Sequence, residues 1–185
     1  EFKHLTIITL LYETGARVSE LINIKLEDIA EDYSYILIDN KKLILDDFSK
    51  RIVKGCKKQD VYYKYVVNDN LKNNDDYELN MSSEYLIKPM PTSKNNDGLN
   101  PMAVPSLQRR YAKIMQIFKN ETGEEIILNA GNLNTSGILY DLFLQEVHQG
   151  KEWGVRSIKE YLQMRGIRKS AEVMYYNYRS RYTKY

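Results

Sequence analysis

The sequence predicts an α+β domain that is mostly helical, with a small antiparallel β-sheet or hairpin at one edge. Apolar residues recur every three to four positions along most of the chain, which is typical of helices that pack on a core. The helical period is lost near residues 33–46, where β-branched and aromatic residues flank a polar turn. At 185 residues the chain fits a single domain, 1–185, with a core of its own.

Two helices are predicted at the start of the chain. Residues 3–12 place apolar side chains at helical spacing, and Gly15 suits the end of that helix. The next helix is expected to begin near Arg17 and to run to about Leu26. The junction between them consists of small residues, so it delivers the Arg17 side chain to the mouth of the second helix.

Arg17 is the first candidate for a functional residue. An arginine keeps its charge at every relevant pH, and its planar donors match phosphate oxygens two at a time. Glu20 follows three residues later, where it can hold the guanidinium or cap the helix start. The position therefore indicates a phosphate clamp, although Arg-Glu pairs of this spacing are also common on solvated surfaces.

The sheet is predicted to consist of two short hairpins. Their strands are residues 33–39, 43–46, 48–56 and 61–67. Gly55 would lie near the tip of the second hairpin. The alternative is that the strands end at residue 46 and that residues 47–58 form a helix.

The second half of the chain is predicted to be helical after a loop-rich insertion at residues 68–105, which holds all four prolines. A turn rich in helix-capping residues, 129–136, precedes the third-last helix. The predicted helices are residues 107–118, 137–148, 155–164 and 170–178.

Composition bounds the class of protein. The net charge is only +2, so any binding of nucleic acid must depend on local clusters of basic residues. The single cysteine, Cys56, excludes a disulfide framework within the chain and fits a reducing cytoplasm. No apolar run is long enough to span a membrane, so we expect a cytoplasmic protein without a membrane partner.

A longer motif contains Arg17. It reads T-G-A-R-V-S-E-L and continues as N-I-K-L-E-D-I. This string resembles the first catalytic-arginine box of the tyrosine recombinase, or phage integrase, family. The resemblance implies a mobile-element recombinase that cuts and rejoins double-stranded DNA through a 3′-phosphotyrosyl link, without metal or other cofactor. It also implies a homotetramer on DNA, and an upstream DNA-gripping domain that this chain, which opens without Met, would lack as a fragment.

The resemblance assigns further catalytic residues. Family members carry a lysine on a β-hairpin, and Lys54 in the string K-G-C-K followed by Val61 resembles that pattern. If residues 47–58 are helical instead, the lysine would be Lys41 or Lys42. The segment S-A-E-V-M-Y-Y resembles the end of the family's domain and places the attacking hydroxyl on Tyr175, with Tyr176 as second choice.

Two other boxes depart from the family pattern. The second box, usually H-x-L-R-H-T, aligns with residues 131–136 and leaves Gly131 at the histidine and Asn134 at the second arginine. A histidine or tryptophan is also expected after residues 160–162 and is absent there. Each lost charged contact to a transition-state phosphate costs on the order of a few kcal/mol, so strand cleavage would be strongly suppressed.

Basic residues outside the boxes are candidates for contacts with the DNA backbone. They are Lys57, Arg109, Arg110, Arg168 and Lys169. Three interpretations therefore stay open: a recombinase with an eroded active site, a DNA-binding or regulatory relative without catalysis, and a protein-interaction domain in which Arg17 is structural.

Overall fold

A computed structural model describes residues 2–62, 76–90 and 97–182 of the chain. The helices are α1 (Phe2–Thr14), α2 (Val18–Ile22), α3 (Asp47–Lys58), α4 (Val104–Thr122), α5 (Ala130–Gln149), α6 (Val155–Met164) and α7 (Ala171–Tyr182). The strands are β1 (Tyr35–Ile38), β2 (Lys41–Ile44), β3 (Val61–Tyr62) and β4 (Tyr77–Glu78). The predicted α+β class, mostly helical with a small antiparallel sheet, is confirmed.

Two hydrophobic clusters form the core. The first is built around α1, α2, β1 and α3, and the second around α5, α6 and α7. Helix α1 packs against both α3 and α5 and so joins the clusters. The helices α1 and α5 approach closely at Gly137, where a Cβ atom would overlap the backbone carbonyl of Tyr12.

The hairpin of β1 and β2 agrees with the sequence prediction. Tyr35 pairs with Ile44 and Ile38 with Lys41 in an antiparallel register. Asp39 and Asn40 form the turn with φ of 50° and 59°, as a two-residue hairpin loop of the right twist requires. The turn therefore places Lys41 at the first position of β2.

The second predicted hairpin is wrong, because residues 47–58 form the helix α3. Its buried residues, Ser49, Ile52, Val53 and Cys56, recur at the three-to-four spacing of a helix face. The Asp46 side chain caps the helix by accepting a hydrogen bond from the Ser49 backbone N–H at 2.7 Å. The strand β3 is confirmed only for Val61–Tyr62, and residues 63–67 lie outside the described ranges.

Helix α2 ends at Ile22, four residues before the predicted end at about Leu26, and the predicted helices of the second half hold with shifted boundaries. Helix α5 begins seven residues before the predicted start, because the Asn129 side chain caps it by accepting from the Asn132 backbone N–H at 2.8 Å. Helix α4 begins three residues early, with Pro105 in its first turn. Helix α6 has the predicted bounds, and α7 continues to Tyr182. None of the helices that the structure describes is long and apolar enough to cross a membrane.

Candidate functional site

A cleft of about 640 Å³ opens where the α1–α2 junction, the β1–β2 hairpin, the start of α5 and the loop after α6 meet. Its walls combine cationic and acidic side chains, with the cations in excess. The cations are Arg17, Lys41, Lys42, Arg165, Arg168 and Lys169, and the acids are Glu13, Glu20 and Asp39. The cleft thus has the charge that an anionic ligand requires.

Arg17 occupies the position that the sequence predicted, at the start of α2. Its backbone N–H donates to Glu20 Oε2 at 2.7 Å, so Glu20 caps the helix. The guanidinium Nε is 4.0 Å from Glu20 Oε1, and 60% of the side chain is exposed. Gly15 (φ +65°) permits the turn before it and packs against Ile167, which would lie 3.1 Å from an added Cβ. The Arg17 side chain is therefore available to a ligand in the cleft.

The hairpin supplies the lysines of the cleft. The Lys41 ammonium lies so close to Gly166 (φ +65°) that a Cβ at residue 166 would overlap it. The Lys42 ammonium lies 4.0 Å from the centre of the Tyr35 ring. Both lysines line the cleft beside Arg17, which is the alternative arrangement that a helix over residues 47–58 implied.

Lys54 is not brought to Arg17. It lies on α3 and lines a separate groove of about 990 Å³ whose walls include Phe2, Leu5 and Ile114. Its ammonium is 6.0 Å from the centre of the Tyr33 ring. The assignment of Lys54 depended on a hairpin that is a helix, so the structural basis for that assignment is lost.

The second box provides a neutral contact in place of a cation. Asn134 lines the cleft with only 9% of its surface exposed, and its Nδ2 donates to the Ala16 carbonyl at 3.1 Å. Its Oδ1 has no hydrogen-bond partner among the described residues. Gly131 is exposed in the first turn of α5 and does not line the cleft. Asn134 therefore holds the loop before Arg17 rather than presenting charge.

The loop after α6 contributes three basic residues to the cleft, and their contacts within the fold differ. Arg165 donates to Asp141 Oδ2 and to Tyr161 Oη, each at 2.7 Å, and Tyr161 donates to the same carboxylate. Burial raises the pKa of Tyr161, and the bond to Asp141 raises it further, so the hydroxyl stays protonated. The Lys169 ammonium donates to Thr135 Oγ1 at 3.1 Å, at the start of α5. Arg168 is exposed and makes no ion pair with another described residue.

Tyr175 does not line the cleft. It lies on α7, half-buried against the second hydrophobic cluster, with its ring centre 5.8 Å from that of Tyr176. Tyr176 is 71% exposed. The helix is anchored by Tyr178, which is 1% exposed and donates to Glu146 at 2.5 Å. The sequence predicted that Arg17, a lysine and a tyrosine would lie in one site. Among the described residues, the cleft contains the arginine and lysines but no tyrosine.

The comparison with protein families matches residues 3–178 to the model described as the C-terminal catalytic domain of MrpR. The chain belongs to this family. No curated protein matches the chain. Because the match spans nearly all of the sequence, both core clusters and every wall of the cleft belong to the MrpR catalytic-domain family's fold.

In this member of the MrpR catalytic-domain family, the buried Arg110 contacts the half-buried His4. Arg110 is 7% exposed; its Nη1 is 2.5 Å from His4 Nε2, and its guanidinium is 4.7 Å from the centre of the Tyr62 ring. Burial and the charge of Arg110 lower the pKa of His4 to about 3, so His4 is neutral and accepts from Arg110. Arg110 thus has partners within the fold and Arg109 is exposed, and the DNA contacts predicted for both stay predictions.

Two sets of contacts in the walls of the cleft have no signal in the sequence. The network of Asp141, Tyr161 and Arg165 and the bond between Thr135 and Lys169 join residues from different elements. The sequence does show the basic run of residues 165–169, and it predicted two of its members as DNA contacts. The sequence has no pattern that predicts the hydrogen-bond partners of this basic run.

Proposed function

We propose that this domain binds duplex DNA by its phosphate backbone, as a DNA-binding or regulatory relative of the tyrosine recombinases that no longer cuts the strand. The observation that carries the proposal is the composition of the cleft. Six cationic side chains line it, and neither a tyrosine nor a histidine does so among the described residues. A phosphate can be held there, but the groups that would attack it or transfer its protons are not in place.

The cations are arranged for binding a phosphodiester. Arg17 offers a planar fork of donors, and the hairpin places Lys41 in the same cleft, against Gly166. Contacts of this kind position a protein on a duplex without reading its bases. They also release counterions, so affinity should fall steeply with salt concentration.

Strand cleavage requires charged groups at the reacting phosphate that the second box does not supply. Asn134 stands where the resemblance expects an arginine, and its amide is already bonded to the Ala16 carbonyl. Stabilisation of a charged transition state requires preorganised charge or donors at the reacting group. His4 is half-buried, neutral and bonded to Arg110, and it does not line the cleft, so it does not replace the missing histidine.

Strand cleavage through Tyr175 is the second candidate function. The description of the matched family as a catalytic domain favours it. So does the place of Tyr175 on α7, the helix that follows the cleft loop of residues 166–169. Cleavage would require the half-buried Tyr175 side chain to leave the second hydrophobic cluster and enter the cleft.

Binding is tested by fluorescence anisotropy with a labelled mixed-sequence duplex over a series of salt concentrations. The variants Arg17→Ala and Lys41→Ala should weaken binding and lower the slope of log K against log salt by about 0.9 for each lost phosphate contact. Arg109→Ala and Lys54→Ala are matched controls, since both residues lie outside the cleft. Equal effects in the cleft variants and their controls would refute the role of the cleft.

Cleavage is tested on the same protein with a nicked duplex that traps a covalent intermediate. We expect no adduct that survives denaturation. An adduct that is lost in Tyr175→Phe would establish the second candidate function instead. Absence of salt-dependent binding by the unmodified chain would refute both functions.

A further inference from the structure

We infer that Lys169 supplies the phosphate-binding charge that Asn134 lacks, so that the second cation of the site comes from the loop after α6 instead of from α5. The inference rests on the proposed function and deepens it. Lys169 and Asn134 line the same cleft, and Lys169 is bonded to Thr135, the residue next to Asn134. In this chain the cation beside that part of α5 is therefore supplied by the loop after α6.

The hydrogen bonds of Thr135 fix the position of the ammonium. The Thr135 hydroxyl donates to the Gly131 carbonyl at 2.8 Å, so its oxygen has lone pairs left to accept from Lys169. The Lys169 ammonium uses one of its three N–H donors in this bond, at 3.1 Å. Two donors remain for a ligand.

The loop that carries Lys169 is itself held in place. It begins at Gly166, whose left-handed conformation (φ +65°) ends α6, and Ile167 N–H donates back to the Leu162 carbonyl at 2.8 Å. The Ile167 side chain is 9% exposed and packs against Gly15 in the turn before Arg17. Lys169 is thus presented by a fixed loop that also contacts the Arg17 turn.

Electrostatics favours an anion beside Lys169. The ammonium is bonded to Thr135, which lies in the second turn of α5. Lys169 makes no ion pair with another described residue that would neutralise its charge. Arg17 and Lys41 add positive charge on the neighbouring walls. A phosphate bound between these side chains would relieve the repulsion of all three.

A purely structural role is the alternative, in which Lys169 only ties the loop to α5 through Thr135. The two roles differ in what they require of the side chain. A tie requires the hydrogen bond, whereas a phosphate contact requires the positive charge. Variants that separate charge from hydrogen bonding therefore decide between them.

The test measures the affinity and salt slope of Lys169→Gln, Lys169→Arg and Thr135→Val on the labelled duplex. Lys169→Gln should weaken binding about tenfold at low salt and lower the slope by about 0.9, because one charged phosphate contact is lost. Lys169→Arg should retain both values. Thr135→Val keeps the ammonium and should retain the slope. The control Lys159→Gln removes an exposed charge of α6 outside the cleft and should change neither value.

Each outcome bears on the inference. An unchanged slope in Lys169→Gln would overturn it. A slope lost equally in Thr135→Val would assign the effect to the fold and would also overturn it. If the unmodified chain shows no salt-dependent binding, the proposed function itself fails. If the unmodified chain binds and Arg17→Ala and Lys41→Ala lower the salt slope, but Lys169→Gln leaves it unchanged as Lys159→Gln does, the proposed function stands. This inference alone then fails.

Discussion

Gly166→Ala should separate the stability of the domain from its binding of DNA. Gly166 has φ +65°, and a Cβ there would overlap the Lys41 ammonium, which must then leave its place in the cleft. Gly150 is a matched control, since it has φ +64° at the end of α5 and nothing lies within 4 Å of an added Cβ. The two substitutions share the backbone penalty and differ in the displacement of Lys41.

The expected magnitudes follow from this difference. An alanine in the left-handed region costs about 1 kcal/mol, so both variants should lose about that much unfolding free energy. The Lys41 ammonium is the far end of a flexible side chain, so moving it adds little to the cost in Gly166→Ala. Binding should differ instead, with a salt slope lower by about 0.9 and affinity weaker by about tenfold in Gly166→Ala alone.

Urea unfolding gives the stability and anisotropy titration of a labelled duplex gives the slope. The reasoning predicts equal unfolding midpoints for the two variants and unequal slopes. Two variants that bind DNA alike would show that the position of Lys41 against Gly166 does not matter for binding. A much larger loss of stability in Gly166→Ala would show that the loop, rather than the lysine, absorbs the added methyl group.

Three other changes test the physics of the fold. The pKa of His4 is about 3 in the folded protein against an ordinary 6.5, so the folded state is favoured above pH 6.5 and loses stability as the pH falls towards 3. The expected loss of unfolding free energy is about 3 kcal/mol at pH 4. In urea unfolding, His4→Gln should lose less stability between pH 6.5 and pH 4 than the unmodified chain, and an equal loss would contradict this. Burial raises the pKa of Glu13, so Glu13→Gln should stabilise the domain at neutral pH, with a gain in denaturant midpoint that shrinks as the pH falls into the ordinary glutamate range. Gly137→Ala should lower the unfolding free energy by about 3 kcal/mol, because its Cβ would overlap the Tyr12 carbonyl, whereas Gly154→Ala, with open space around it, should cost far less.

The cleft also shows how a chain of low net charge can present a cationic surface. The net charge of +2 is small, yet the walls of the cleft carry six cations against three acids. A phosphate is attracted mainly by charges close to it, because charges beyond about 10 Å are screened at ordinary ionic strength. The balance of the whole chain is therefore a poor guide to this surface.

Local features of the sequence determined the Arg17 turn and the first hairpin. Gly15 and Glu20 act on residues within three positions of Arg17, through a left-handed turn and a capping hydrogen bond. The residues of β1 are β-branched, aromatic or leucine, and the turn at Asp39 and Asn40 has the chemistry that a short hairpin requires. Such interactions are encoded by neighbouring residues, so a pattern in the sequence predicts them.

Two local patterns in residues 47–58 predict different structures, and the structure formed there decides which lysine lies in the cleft with Arg17. Residues 47–58 contain a glycine and several basic residues, which suggested a hairpin with Lys54 near its tip. The cap at Asp46 and the apolar face that ends at Cys56 favour a helix instead, and burial of that face settles the choice. Lys54 then points to a different groove, and the hairpin lysine Lys41 occupies the cleft.

Only the tertiary structure assembled the rest of the site. Asn134 bonds to Ala16 across 118 positions of sequence, and Lys169 bonds to Thr135 across 34. Neither contact leaves a local signal, because each depends on how α5 packs against α1 and on where the loop after α6 crosses the start of α5. The sequence alone determined that an arginine at a capped helix start and a basic run at residues 165–169 would exist. Packing decided which of those charges face one another, since charge is a property of a residue and its neighbours in space are a property of the fold.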